Sequence, residues 1–392
     1  MANTPPTAQK GRARHRSSPS LAASRLTAWI QRDALPFWTV RGWDHQRGGF
    51  YERMTLEGDP DHFAPRRVRV QWRQIYTLAH ASTLGWTDGL KLAFKGLEHI
   101  IARGWSPDGQ PGFVHLLTHD NEVADAKRDS YDHAFALLAL AWLAKASDDA
   151  QVRTLLDRVF AFILEDLTDE RGFLFEAQPP ELPRRQNPHM HMFEAMLSLD
   201  ELLAYPEAAV HAGRYRKMLQ TTFIDKETSL LVEHFDADWS SLPAEGAAPV
   251  EPGHLAEWVW LMRKHERSGG LKQSPLGTHF LGAALRAAEP LHGFLIDEID
   301  TLGQVRKATR RLWPQTELIK AWLAQYEAGF ERADEAAEML IEAMLGTYLS
   351  GPFPGGWYDQ YAADGTVMSE AVPASTLYHV FLASTEAHRL LG

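Results

Sequence analysis

Histidine changes charge near neutral pH, so two imidazoles facing one ligand can take a proton from carbon and return it within a turnover. The chain has 18 histidines and no cysteine. The missing thiols exclude disulfides, thiolate metal sites and a cysteine nucleophile. Six short stretches gather polar and aromatic side chains: Gln71-Trp72-Arg73-Gln74-Ile75-Tyr76, Arg128-Asp129-Ser130-Tyr131-Asp132-His133, Gln186-Asn187-Pro188-His189-Met190-His191, Glu251-Pro252-Gly253-His254-Leu255-Ala256-Glu257, Trp313-Pro314-Gln315-Thr316-Glu317 and Pro373-Ala374-Ser375-Thr376-Leu377-Tyr378-His379. Asn187 and His191, and likewise Trp313 and Glu317, are four apart, while His254 and Glu257 are three apart, so each pair shares a helix face.

His191, His254 and His379 recur at equivalent places and are the candidates for chemistry, whereas His133 and His189 read as structural. Histidines beside an arginine, an asparagine and carboxylates suit proton transfer on a polyol. Arg73 can stabilise the oxyanion of an enediolate, and Glu257 is expected to orient His254 and raise its basicity. Glycoside hydrolysis needs two carboxylates flanking the bond, for which Asp129, Asp132, Glu257 and Glu317 are candidates. His189 and His191 are two apart, so they point to different sides of a helix and do not make a metal pair. Trp72, Trp313 and Trp357, among 13 tryptophans, can stack on sugar faces. Phosphate-loop and dinucleotide glycine motifs and the Gly-x-Ser-x-Gly elbow are absent.

These stretches need a scaffold that brings all six together. Helical periodicity recurs over 21–38, 67–85, 88–104, 128–146, 149–167, 187–204, 207–222, 252–268, 275–290, 314–328, 331–349 and 373–390. The links alternate long and short, and the short ones make helix hairpins. The long ones share a pattern, a short aromatic or aliphatic strand that often ends in an acid: Gly49-Phe50-Tyr51-Glu52, Gly112-Phe113-Val114-His115, Gly172-Phe173-Leu174-Phe175-Glu176, Leu230-Leu231-Val232-Glu233, Gly293-Phe294-Leu295-Ile296-Asp297 and Gly356-Trp357-Tyr358-Asp359. Asp108-Gly109 and Asp364-Gly365 suit hairpin turns.

Six such repeats predict an all-α fold, an (α/α)6 barrel with short β-hairpin loops at one rim; a helical solenoid is the alternative. The polar stretches open the even-numbered helices. If those are the inner ones, their N-terminal N–H groups ring a pocket suited to an oxygen-rich ligand.

No Pro/Gly/Ser linker divides 21–392, which reads as a single catalytic domain after a flexible tail over 1–20 containing Lys10, Arg12, Arg14 and Arg16. That tail lacks the apolar stretch of a secretory signal. The apolar run from Ala134 to Ala144 is too short to span a bilayer, and a cytoplasmic location is expected. A net charge of −11 argues against nucleic acid or anionic membrane as partner.

Taken in order over residues 25–390, the stretches resemble the N-acylglucosamine 2-epimerase superfamily. The resemblance rests on Arg73 in Trp-Arg-Gln-Ile-Tyr, Tyr131, Asn187 with His191, His254 with Glu257, Trp313 with Glu317, and His379. It implies the (α/α)6 barrel and catalysis with no cofactor and no metal. It also implies roles: His379 as the base for the C2 proton, and His254 for ring opening and the second acid–base step. Arg73, Asn187, His191, Glu257 and Glu317 would bind the sugar, with Tyr131 and Trp313 lining the pocket.

The last motif is similar to that of aldose–ketose isomerases, because Ala374 stands where epimerases carry a tryptophan. The implied reaction interconverts D-mannose and D-fructose, with D-lyxose and D-xylulose as a further pair, through a cis-enediol. A sugar 2-epimerase is the alternative, a glycoside hydrolase on the same barrel the second, and a non-catalytic carbohydrate-binding protein a third. Phosphorylated substrates are disfavoured, since Arg73 is the one obvious cation among the site residues. Arg306, Lys307, Arg310 and Arg311 read as a solvated loop, a sulfonated sugar being their alternative use. A monosaccharide is the expected partner, bound by a monomer or homodimer.

Overall fold

The structure, a computed structural model, describes residues 18–243 and 246–392. The tail expected over 1–20 lies outside them except for its last three residues. Of these, Ser20 is buried; its hydroxyl accepts the Ala23 N–H and its own N–H donates to the Leu391 carbonyl.

The described residues form helices in the expected order. α1 runs through Leu21–Trp29, a π turn at Ile30–Ala34, and Leu35–Arg41. Then come α2 Val68–Thr83, α3 Leu90–Gly104, α4 Ser130–Ser147, α5 Ala150–Asp166, α6 Asn187–Leu203, α7 Ala208–Thr221, α8 Pro252–Ser268, α9 Pro275–Arg286, α10 Leu312–Glu327, α11 Ala333–Gly346 and α12 Thr376–Leu391. α9 stops short of the expected 290 because Ala288 pairs with Leu295 in a hairpin bridge that draws the chain out of the helix.

The even helices are inner and the odd ones outer. α4 is buried without interruption from Ser130 to Ala141, as a helix enclosed on all sides must be, whereas α3 buries only Ala93, Gly96, Leu97, Ile100 and Gly104, one stripe at three- and four-residue spacing. Gly96 allows a close approach, since a Cβ there would lie 2.6 Å from the Phe50 ring. Asp149 and Ser274 cap the outer helices α5 and α9 by accepting first-turn N–H groups.

Each inner helix packs on its inner neighbours, and α12 returns to α2. A second ring, made of two-residue antiparallel ladders, closes in the same sense. Arg66–Arg67 pairs with Leu116–Leu117, Arg128–Asp129 with Ala177–Gln178, and Arg184–Arg185 with His234–Phe235. Val250 pairs with Ile299, Arg310–Arg311 with Gln360–Tyr361, and Val372–Pro373 with Arg53–Met54. The last ladder joins the sixth repeat to the first. That closure is what a barrel has and a solenoid lacks, and it carries the six inner-helix starts to one rim. No described helix is long and apolar enough to cross a membrane.

Candidate active site

The acids that end the loop strands brace the inner-helix starts. Glu52, Glu176 and Asp297 accept the backbone N–H of Arg67, Arg185 and Arg311 at 3.0, 3.1 and 2.8 Å, and each also pairs with that arginine's guanidinium. Glu233 accepts the N–H of Glu251 at 3.2 Å, but in place of an arginine it faces Nδ1 of His254 at 2.9 Å. At the same position His115 faces Asp132 at 2.7 Å, and Asp359 accepts the Thr376 hydroxyl at 2.7 Å. A device that is structural in three repeats therefore holds an imidazole in the fourth. This corrects one half of the role expected of Glu257: Glu233 rather than Glu257 orients His254, while Glu257 is among the groups that raise its basicity.

A cavity of about 180 Å³ opens at this rim. Arg73, Tyr131, Asn187, His191, His254, Glu257, Trp313 and His379 all line it, so eight of the nine candidate residues converge. Glu317 is absent from the lining. It lies fully buried behind His379, whose Nδ1 it meets at 2.8 Å. Two rim residues join instead, Glu251 and Arg311. The basic stretch expected to be solvated is thus only partly so: Arg306 and Lys307 pair with Glu298, while Arg310 is buried beside Glu289. His133 and His189 are structural, accepting the Phe113 and Leu174 N–H groups at 3.0 and 2.9 Å.

Trp313 is close to both imidazoles, its ring centroid 5.1 Å from that of His254 and 5.8 Å from that of His379. Gly253 makes room for it, since a Cβ there would fall 2.6 Å from the indole. The imidazoles differ in charge. Burial works against a proton on His254, but Glu233, Glu251 and Glu257 outweigh it and raise the pKa to about 9. Asn187 lies 3.2 Å from Nε2, and a side-chain amide can turn either its oxygen or its NH2 toward a neighbour, so it suits both proton states. His379 is driven well below its usual value by burial, then by Arg73, Lys320 and His191. With Nδ1–H donated to Glu317, Nε2 is left as the acceptor.

The floor of the cavity is a buried polar cluster. His191, lowered to about 4 chiefly by burial, meets Glu194 at 3.1 Å and Glu257 at 3.8 Å. Glu194 stays ionised at neutral pH, at about 2: burial is outweighed by hydrogen bonds from His191 and Tyr378 and by the Lys320 charge. Neither oxygen of Glu257 has a hydrogen-bond partner, although the residue is 1% exposed. Burial and Glu317 push its carboxyl well above the usual range. Such an orphaned group requires a partner, and ligand hydroxyls in the cavity can provide one. Arg73 bonds the Tyr131 hydroxyl at 2.7 Å and the Ser375 carbonyl at 3.2 Å and stacks over Phe135 at 4.2 Å. Among the described residues it forms no ion pair.

Two clusters have metal-ligand composition, His115/Asp129/Asp132 and His191/Glu194/Glu257. Each already has an internal cation: Arg69 pairs with Asp132 at 3.0 Å, and the Lys320 charge acts on both Glu194 and Glu257.

The model of the N-acylglucosamine 2-epimerase family matches residues 49–383. A mannose-6-phosphate isomerase of Rhizobium meliloti (strain 1021) is 35% identical over 377 residues, 93% of this chain and 96% of that protein. Among solved structures, a D-mannose isomerase superposes with a TM-score of 0.84 at 20% identity, covering 95% of this chain and 100% of that one. The cellobiose 2-epimerase of Spirochaeta thermophila DSM 6192 also gives 0.84, at 22% identity, covering 94% and 96%. At that identity the likeness of the two solved structures speaks for the fold, which is the (α/α)6 barrel.

Proposed function

Since this chain belongs to the N-acylglucosamine 2-epimerase family of sugar isomerases and epimerases, we propose that it is an aldose–ketose isomerase acting on a free monosaccharide, D-mannose to D-fructose, with D-lyxose to D-xylulose as its five-carbon counterpart. One observation supports the reading: two imidazoles, each bonded at Nδ1 to a buried glutamate, lie close to a single indole in a cavity of about 180 Å³. His254 in its protonated form gives a proton to the ring oxygen as the sugar opens and takes the O1 hydroxyl proton in return, so that it is loaded again. Neutral His379 then removes the C2 hydrogen while His254 protonates O1, and the product is a cis-enediol. His254 takes back the O2 proton, His379 delivers its proton to C1, and the ketose leaves with both imidazoles restored. Arg73, lacking a carboxylate partner, faces the oxygen on which charge develops. Asn187, His191 and Glu257 bind hydroxyls, and Tyr131 and Trp313 form the walls. Glu317 acts from behind His379.

An uncharged substrate is supported by the rim. Arg67, Arg69, Arg185 and Arg311 each already face a carboxylate, which leaves Arg73 as the one arginine of the lining without one, where a phosphate usually takes a cluster. Hydrolysis is not supported, because of its four candidate acids only Glu257 lines the cavity. A 2-epimerase is the second reading, favoured by two imidazoles lining one cavity, since a second acid–base group suits reprotonation of C2 from the opposite face.

Incubation with mannose, lyxose and mannose 6-phosphate in D2O, followed by NMR, separates these readings. Fructose labelled at C1 from free mannose is expected. Glucose as the sole product selects the epimerase, and turnover of the phosphate alone overturns the free-sugar reading.

A further inference from the structure

Lys320 is fully buried in α10, one turn beyond Glu317. Its ammonium lies 2.6 Å from Oε2 of Glu317 and 4.0 Å from the centre of the Trp260 ring on α8. A buried lysine is retained only with compensation, here a carboxylate and an aromatic face. The other oxygen of the same carboxylate holds Nδ1 of His379. Lys320, Glu317 and His379 therefore form one line, from the wall behind the cavity to its lining. Glu233, the corresponding carboxylate behind His254, is bonded by Gln186 at 2.9 Å and has no lysine or arginine in ion-pair contact among the described residues.

We propose that Lys320 is a positioning residue for the reaction: its ammonium balances Glu317, the carboxylate that orients His379, whereas Glu233, the carboxylate that orients His254, has no such cation in contact. A carboxylate beside an imidazole ordinarily favours the imidazolium, and a cation on the far side of that carboxylate cancels the preference. The groups that face this line are Arg73 from α2, His191 and Glu194 from α6, Glu257 from α8 and Tyr378 from α12. In the charge balance at His379, Lys320 and Arg73 work together against a proton and Glu194 works for one. The lysine is not among the residues that line the cavity; it acts through Glu317.

The inference rests on His379 being the base of the proposed isomerase, and its test separates the two. Lys320→Met, Lys320→Arg and the double variant Glu317→Gln/Lys320→Met are followed by titrating the histidine ring carbons by NMR without sugar, and by pH profiles of kcat and KM on mannose. Lys320→Met is expected to titrate His379 about one pH unit or more higher. The acid limb of kcat moves up by the same amount while KM changes little. Lys320→Arg keeps the wild-type limb, and the double variant, with both charges gone, returns His379 to a low value. An unmoved His379 in folded Lys320→Met overturns the proposal, as does a raised value in Lys320→Arg or in the double variant. If Lys320→Met does not fold, the other two variants decide by the same values. Because the titration needs no substrate, a wild-type protein inert on mannose would strike the proposed reaction and leave the Lys320 result standing.

Discussion

The wall of the cavity built by α6 and α8 and the wall built by α10 and α12 use one motif and reach opposite results. On each, a buried glutamate meets Nδ1 of an imidazole, at 2.9 Å for Glu233 and His254 and at 2.8 Å for Glu317 and His379. Behind Glu233 is a neutral amide; behind Glu317 is an ammonium. The first imidazole binds its proton up to about pH 9, and the second releases it well below 6.5. A hydrogen-bond partner alone thus does not fix the proton state of a histidine. Burial and the surrounding charges also enter: Arg73 and Lys320 act against a proton on His379, and Glu233, Glu251 and Glu257 favour one on His254.

The largest expected effect comes from removing the imidazoles. His379→Ala should abolish deuterium exchange at C2 of mannose, a loss of about 10²–10⁴-fold or more, with the fold intact by circular dichroism. Full exchange in that variant excludes His379 as the base. His254→Ala should lose a comparable amount of kcat.

The pH profile comes next. Activity that needs protonated His254 declines as pH rises through about 9, and activity that needs neutral His379 declines only well below 6.5. A broad bell is the result. The raised value on His254 also contributes folding stability that is complete below pH 6.5 and lost as pH passes through about 9. Urea unfolding at pH 6 and pH 10 measures that loss.

Glu233→Gln narrows the difference between the two walls. It should bring the basic limb down from about 9 and lower kcat roughly 10–100-fold, the usual cost of removing a group that orients a reactive side chain. Gly253→Ala should cost about 1–3 kcal/mol in unfolding free energy by crowding Trp313, with KM rising more than kcat falls. As a control outside both walls, Asp149→Ala at the start of α5 should cost ~1 kcal/mol of stability and leave kcat unchanged.

Much of this was legible in residue order. Helix periodicity and alternating link lengths reveal six hairpins, and the polar stretches reveal which helix starts face inward. Glu233 was visible as one of five loop-ending acids, but the repeat pattern hides its role, since three of its equivalents only hold arginines. Glu257, three residues from His254 on the same helix, looked like the orienting group by local spacing; the hydrogen bond comes instead from a residue 21 positions away, across a loop. Glu317 shares a face with Trp313, yet burial places it behind His379 rather than in the lining. Lys320 had a signal that local reading passes over: a lysine three residues from Glu317 among Leu318, Ile319, Ala321 and Trp322. On an exposed helix that spacing is an ordinary surface ion pair. Only the closed ring, which buries α10 on every side, turns it into an internal charge.

The most direct measurement is a wild-type titration of the ring carbons of His254 and His379 by NMR, each assigned by its alanine variant. His254 is expected to remain protonated until about pH 9 and His379 to remain neutral until well below pH 6.5. If both instead titrate together near 6.5, the two walls are chemically equivalent, and the division of labour between acid and base is wrong.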